Sequence, residues 1–194
     1  ETDFNFVSRL MEQYGMFYFF EHKRGKHVLV IADTKADHHL VGEVVEGGKP
    51  KGDRSTVRFQ GTQGAAETEV DVVTNWTMEQ QIRPTKYSLN DFNFQTPRAL
   101  LMSEVPSGPP PQGAVYEIYD YPGEFTDPGA GKTLAAVRLE EEEAQRKTFH
   151  GSSNVRYFTS GYRFTLEKFP RADANAAYLI TSVSHQAHET SYSS

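Results

Sequence analysis

Two strand-sized apolar segments on either side of a short polar turn constrain this sequence most. Residues 16–22 carry aromatic side chains at consecutive positions, and residues 27–33 are apolar through their middle. The turn at residues 23–26 contains Gly25, which tolerates a positive φ. Because neighbouring side chains in a strand point to opposite faces, this pattern predicts a β-hairpin that is covered on both faces.

A helix is predicted directly before this hairpin, over about residues 3–14. Thr2 or Asp3 can cap its first turn, and Gly15 lies where a left-handed residue ends a helix. We expect its apolar face to pack on a sheet as core and to cover one face of the hairpin. The residues at this helical spacing are Phe6, Val7, Leu10, Met11 and Tyr14.

Short β-prone segments follow an exposed loop at residues 46–56. Residues 57–60 and 70–78 are predicted strands, and residues 83–85 interrupt the pattern, which predicts either a second hairpin or a sharp bend. The two-residue alternation then runs through Tyr87, Leu89, Phe92 and Phe94.

Residues 103–113 are predicted to be a linker, because consecutive prolines can continue neither a helix nor a central strand. Downstream, residues 114–121 predict a strand. A long helix over about residues 128–150 is capped by Asp127, with Pro128 at its first position and Gly151 after its end.

The glutamates of this second helix are predicted to form a solvated face, because side chains on a helix point around its axis. Pairs four residues apart join Glu142 to Arg146 and Glu143 to Lys147. The tail is predicted to be β again. Its predicted strands are residues 155–158, 162–166 and 177–183, with turns at residues 160–161 and 170–175.

The sequence therefore predicts an α+β fold that is predominantly β, with two notable helices. A chain of 194 residues can form one large domain or two small ones. We place the border at the proline-rich segment, giving an α/β lobe at residues 1–105 and a second part at 106–194. The chain opens without an initiator Met or a leader, and we interpret it as a fragment of a longer protein.

Composition excludes several classes of function. The net charge is −6, and no basic cluster is interleaved with aromatic residues, so nucleic acid is not an expected partner. The absence of cysteine excludes disulfides, thiolate metal sites and cysteine nucleophiles. No apolar run approaches the roughly 20 residues that a membrane-spanning helix needs.

Residues 129–133, Gly-Ala-Gly-Lys-Thr, resemble the end of a phosphate-binding P-loop. That loop needs a further glycine at the position of Thr126, and Pro128 removes one of the N–H donors that would surround a phosphate. We interpret the segment as an ordinary helix N-terminus, with a phosphate- or nucleotide-binding enzyme as the alternative.

Histidines raise the question of a metal site. His38 and His39 are adjacent, and His185 and His188 are three residues apart, a spacing that sends strand side chains to opposite faces. Neither a zinc-protease helix motif nor a nucleophile elbow around a serine is present. No catalytic, cofactor-binding or metal-binding residue is predicted, and no cofactor is expected.

An ordered set of motifs over nearly the whole chain resembles VgrG spike proteins of type VI secretion systems and the late-control and tail-hub proteins of contractile phages. The set begins with the capped helix and aromatic hairpin of residues 1–22 and the apolar strand of residues 27–33. It continues with Trp76, Gln81, Arg83 and Pro84; residues 91–94 with Pro97; residues 119–123; residues 138–140; Gly161 with residues 164–166; residues 170–173; and residues 178–183.

The resemblance implies a structural component rather than an enzyme. It implies β-barrel-type tube domains and a smaller α/β lobe, assembled as a homotrimer on a hexameric tail tube of Hcp-like protein. A following spike would carry a PAAR-type tip and effectors and would meet a membrane only as the target of puncture. Assembly at a cytoplasmic baseplate would precede secretion into the extracellular space or a target cell.

Such an assembly should bury apolar surface that is surplus in one chain. We expect some of a set of six aromatic residues to be exposed in a single protomer. The set is Phe17, Tyr18, Phe19, Phe92, Phe94 and Tyr121. The alternatives are a phage baseplate hub, an enzyme using residues 129–133, and a cell-wall hydrolase, for which no carboxylate can be singled out.

Overall fold

The computed structural model describes residues 1–42, 45–46, 49–50, 54–61, 70–108 and 115–187. Two compact units are present. The first unit comprises Glu1–Phe17 and Met78–Phe149, and the second comprises Tyr18–Thr77 and His150–Ser194. The predicted border after residue 105 falls inside the first unit, so the compact units do not follow the proline-rich segment.

The elements confirm a mainly β fold with helices near both predicted positions. In chain order they are α1 (Asp3–Gln13), β1 (Phe17–Lys23), β2 (Lys26–Ala32), β3 (Val45–Glu46), β4 (Lys49–Pro50), β5 (Thr56–Phe59), β6 (Val72–Gln80), β7 (Lys86–Leu89), β8 (Ser103–Pro106), β9 (Glu117–Asp120), α2 (Pro128–Ala144), β10 (Lys147–Ser153), β11 (Arg163–Glu167) and β12 (Ala177–Leu179).

Helix α1 has the predicted caps but not the predicted packing. The Thr2 hydroxyl accepts the Asn5 N–H at 3.2 Å, and Gly15 has a φ of +70° at the other end. None of the α1 residues is buried, so its apolar face is not core within this chain. A Cβ on Gly15, just after α1, would lie 3.1 Å from Val137 of α2, and α1 itself contacts α2.

The sheet of the first unit has the order β8-β7-β9, with β7 antiparallel to β8 and parallel to β9. Helix α2 packs over β7 and β8. The core between them is apolar, and burial raises the pKa of the Tyr87 hydroxyl there. Its buried residues are Tyr87, Leu89, Leu101, Phe125, Ala135 and Leu139.

The predicted linker is partly a strand. Residues 103–106 form β8, which pairs with β7 from Leu89↔Ser103 to Lys86↔Pro106. Pro106 is tolerated because it ends an edge strand. Residues 109–113 lie outside the described residues. The expected strand continuation through Phe92 and Phe94 is also absent, since residues 91–93 have no regular structure and a turn follows.

Helix α2 begins as predicted and ends earlier than predicted. The Asp127 carboxylate accepts the Ala130 N–H at 3.0 Å, and the last helical residue is Ala144. Residues 147–153 form β10 instead of a last helical turn. Gly151 does not end the helix; a Cβ there would lie 2.5 Å from the Trp76 ring, so glycine lets the strand pass close to that ring.

The expected ion pairs along α2 also differ. Glu143 lies 3.4 Å from Arg146, and Glu142 lies 3.3 Å from Arg83. Because the helix has ended before residue 146, the four-residue spacing no longer brings the predicted pairs together.

The second unit contains the hairpin β1–β2 and a mixed sheet in the order β10-β6-β5-β11-β12. Strand β5 is parallel to both β6 and β11, and β12 is antiparallel to β11. A buried cluster covers this sheet. Its members are Val41, Val57, Val73, Val155, Phe164 and Leu166.

Two predicted tail strands are shorter or missing. Val155 is buried, but residues 155–158 form a turn rather than a strand. Strand β12 ends at Leu179 instead of residue 183. Of the exposed loop predicted at residues 46–56, the described part contains the short pair β3–β4 and the start of β5; the rest lies outside the described residues.

Phe19 packs the hairpin against the rest of the second unit. Its side chain is 4% exposed and makes ring contacts with His38, His39 and Tyr162. A Cβ on Gly161, which has a φ of +84°, would lie 2.4 Å from the Phe19 Cβ. Glycine at 161 is therefore required twice, by its backbone conformation and by the approach of Phe19.

We expect Gly161→Ala to destabilise the chain more than Gly25→Ala. Both glycines have a positive φ, but a Cβ on Gly25 meets nothing within 4 Å. The left-handed conformation costs alanine about 1–2 kcal/mol at either site. The clash with Phe19 adds about 1–3 kcal/mol at 161 alone. Urea unfolding measures both, and equal losses would contradict the close contact.

We expect Phe19→Ala to lower the free energy of unfolding by about 3–5 kcal/mol, as for a large aromatic removed from a core. Phe20→Ala next to it should change that free energy by less than about 1 kcal/mol, since Phe20 is 43% exposed. Urea unfolding of both variants measures the difference. The opposite order would mean that the two faces of β1 are assigned incorrectly.

Candidate interaction surface

The hairpin presents an apolar face to solvent. Tyr18 and Phe20 of β1 and Leu29 and Ile31 of β2 are exposed, Ile31 by 55%. We call these four residues the hairpin face. The sequence predicted that both faces would be covered. Among the described residues, the face carrying Phe19 is covered and the hairpin face is exposed.

Local structure explains this arrangement. Gly25, with a φ of +76°, closes a tight turn, and the strand alternation then sends Tyr18 and Phe20 to the side opposite Phe19. The Tyr18 and Phe20 rings meet edge to face, with centroids 6.2 Å apart. This is a favoured aromatic geometry, so the exposed rings form an ordered surface.

Polar contacts support the covered side of the hairpin. The Glu21 carboxylate accepts from Lys23 Nζ at 2.5 Å, and its other oxygen lies 2.8 Å from His39 Nε2. The hydrogen bond from Lys23, and after it that from His39, lowers the pKa of the Glu21 carboxyl. These contacts hold Glu21 as an anion beside Phe19 and leave the hairpin face apolar.

The first unit has its own exposed aromatic residues on the loop after β7 and the turn after β9. Phe94 is 79% exposed, and Phe92 and Tyr121 are also exposed. The loop backbone is fixed by Asp91, whose carboxylate accepts the N–H groups of Phe92 at 2.6 Å and of Phe125 at 3.2 Å. These aromatic side chains are therefore held outward by an ordered loop.

The prediction of surplus apolar surface is confirmed. Tyr18, Phe92, Phe94 and Tyr121 are exposed, whereas Phe17 is half-buried and Phe19 is buried. Hairpin strands that were predicted from their pattern thus bury one face and leave the other available for contact.

The segment that resembled a P-loop is the start of α2. The Asp127 carboxylate accepts a hydrogen bond from the Ala130 N–H. A bound phosphate would need a free N–H donor of this kind. Gly131 is buried, and a Cβ there would lie 2.4 Å from the Phe125 ring. Lys132 is exposed. The glycines thus serve helix packing and capping at this position.

The histidines singled out in the sequence have separate roles. His38 Nδ1 lies 2.8 Å from the Gly161 carbonyl oxygen, and His39 bonds Glu21. His185 Nε2 lies 2.9 Å from the Phe158 carbonyl oxygen, and His188 lies outside the described residues. In the described part of the chain, no group of three or more histidine, aspartate or glutamate residues could hold a metal ion.

Sequence reasoning missed one close histidine pair. His22 and His27 flank the hairpin turn, and their Nδ1 atoms are 2.7 Å apart. A two-residue turn at Arg24 and Gly25 makes residues 22 and 27 cross-strand neighbours, so the hairpin prediction contained the signal.

The glutamate run on α2 is spread around the helix, as expected. Glu142 contacts Arg83, Glu143 contacts Ser107 and Arg146, and Glu141 contacts Arg138. Among the residues described, no helix is both long enough and apolar enough to span a bilayer.

Comparison with known proteins identifies the family to which this sequence is similar. The family model described as "Phage tail baseplate hub (GPD)" matches residues 1–191. The chain is 33% identical over 192 residues to the type VI secretion system spike protein VgrG1a of Pseudomonas aeruginosa, covering 99% of this chain and 28% of that protein.

Two further relatives match the same region. The spike protein VgrG1c of Pseudomonas aeruginosa is 33% identical over 192 residues, with 99% of this chain and 25% of that protein covered. The actin cross-linking toxin VgrG1 of Vibrio cholerae is 25% identical over 190 residues, with 97% of this chain and 16% of that protein covered. The chain thus spans between 16% and 28% of the length of these relatives. Because the family model covers nearly the whole chain, the chain belongs to the phage tail baseplate hub (GPD) family.

Proposed function

We propose that this chain is a structural part of the trimeric hub in a type VI secretion spike protein, where it helps to build the base from which effectors are delivered. The observation that carries the proposal is the hairpin face, an ordered apolar surface that one chain leaves in water. Family membership and the names of the spike relatives supply the machine to which such a surface belongs.

The physical argument is the cost of exposed apolar area. Burying a fully exposed Phe, Leu or Ile side chain gains about 1.5–3 kcal/mol. Phe20, Leu29 and Ile31 are 43%, 50% and 55% exposed, so covering what remains of each gains about half of that. Clustered apolar residues on an ordered strand pair are typical of sites that another protein surface covers. In a ring of identical subunits this gain is repeated at every interface, so a modest face can stabilise a trimer.

The two units take different parts in this proposal. The mixed sheet of the second unit is the tube-like part that meets neighbouring subunits, and the helix-on-sheet first unit is the smaller α/β lobe. The trimer would sit on a hexameric Hcp-like tail tube, with a PAAR-type tip and effectors carried by a spike. Assembly at the cytoplasmic baseplate would precede secretion, and a membrane would be met only during puncture.

The proposed role requires no catalysis by this chain. The relative named for actin cross-linking shares this region over 16% of its length, so that name does not identify this region as the toxin. A phage tail baseplate hub is a second candidate, favoured by the description of the matching family model. Both candidates predict the same ring assembly.

Light scattering of this chain within its longer hub tests the assembly. We expect a trimer for the wild type. Phe20→Glu and Ile31→Glu should each raise the dissociation constant at least about a hundredfold, because each removes apolar burial and places a charge in the interface. Both residues are exposed in a single chain, so circular dichroism should show retained folding.

Two control variants make the result specific. Gln80→Glu adds the same charge at an exposed polar position and should leave the trimer intact. Lys132→Ala should leave the trimer intact and should not change nucleotide binding. A P-loop enzyme would instead lose nucleotide binding in this variant, so the variant distinguishes the two functions. A wild-type monomer at high concentration, or a Phe20→Glu trimer as stable as the wild type, would contradict the proposal.

A further inference from the structure

The tip of the hairpin carries two imidazoles in contact. His22 near the end of β1 and His27 near the start of β2 have their Nδ1 atoms 2.7 Å apart and their ring centroids 4.9 Å apart. Both side chains are exposed. The Phe20 ring stacks on His22 with centroids 6.5 Å apart, which restricts the orientation of that ring.

We propose that His22 and His27 form a two-histidine chelate for a divalent transition-metal ion such as Ni²⁺, Cu²⁺ or Zn²⁺. Neutral imidazole nitrogen is a preferred ligand of these ions. The two facing Nδ1 atoms are the donors, and water completes the coordination. His22 and His27 lie on the same side of the strands as the hairpin face, at its turn end, and metal binding by the pair does not require the proposed hub role.

The distance between the nitrogens fits such a chelate. With metal–nitrogen bonds of about 2.0–2.1 Å, two ligands at a right angle have their nitrogens about 2.9 Å apart, and at a tetrahedral angle about 3.3 Å apart. The observed 2.7 Å therefore needs an opening of only a few tenths of an ångström. Small rotations of exposed side chains supply that change, and right-angle geometry favours Cu²⁺ and Ni²⁺.

Proton placement is compatible with binding. For the 2.7 Å contact to be a hydrogen bond, one ring must carry a proton on Nδ1 and the other must present its Nδ1 lone pair. For chelation, the donor ring exchanges that proton for one on Nε2 through solvent. With each ring protonated on Nε2 alone, the pair offers two Nδ1 lone pairs to the cation.

Positive charges near the turn lie away from the site. Lys23 and Lys26 alternate with His22 and His27, so they project from the opposite side of the strands. Lys23 is also paired with Glu21 at 2.5 Å. Arg24, in the turn itself, is exposed and its charge is screened by solvent.

Equilibrium dialysis of the untagged chain against NiCl₂ tests the site. We expect one bound ion per chain that EDTA removes, and at least about tenfold weaker binding in both His22→Gln and His27→Gln, since each leaves a single ligand. His185→Gln, the same change at another exposed histidine, is the control and should bind as the wild type does. Unchanged binding in both hairpin variants would overturn the proposal.

Electron paramagnetic resonance of the wild type with Cu²⁺ gives a readout that does not depend on variant folding. We expect hyperfine splitting from two equivalent imidazole nitrogens, and reduction to one nitrogen in His27→Gln. A wild-type spectrum without nitrogen coupling, or dialysis that shows no bound ion, would also overturn the site.

Discussion

The contact between Phe19 and Gly161 determines which face of the hairpin is buried and which is exposed. A residue larger than glycine at 161 would collide with the Phe19 side chain, and the left-handed backbone there independently favours glycine. Once Phe19 is buried, strand alternation leaves Tyr18 and Phe20 on the other side. One close approach in the core thus fixes an apolar face at the surface, and the proposed assembly depends on that face.

The sheet of the second unit adds a constraint of its own. Strand β5 is parallel to β6 and to β11, and β11 lies about a hundred residues further along the chain. Each compact unit is built from two separate stretches, so neither can be completed until distant segments meet.

The sequence correctly predicted the helix ends and the hairpin turn that depend on neighbouring residues alone. Thr2 and Gly15 gave the ends of α1, Gly25 gave the hairpin turn, and Asp127 with Pro128 gave the start of α2. Non-local pairing decided the rest. The glutamate-rich helix ends at Ala144 because residues 147–153 join a sheet, and residues 103–106 become a strand because β7 lies beside them. Whether the apolar face of α1 would be core depended on packing that periodicity does not encode.

Hydroxyl-radical footprinting of the isolated chain and of the assembled hub tests the interface most directly. Phe19 should oxidise slowly in both states, because the chain itself buries it. Tyr18 and Phe20 should oxidise rapidly in the isolated chain and become protected in the assembly. If Tyr18 and Phe20 oxidised equally fast in both states, the hairpin face would not be the surface that assembly covers.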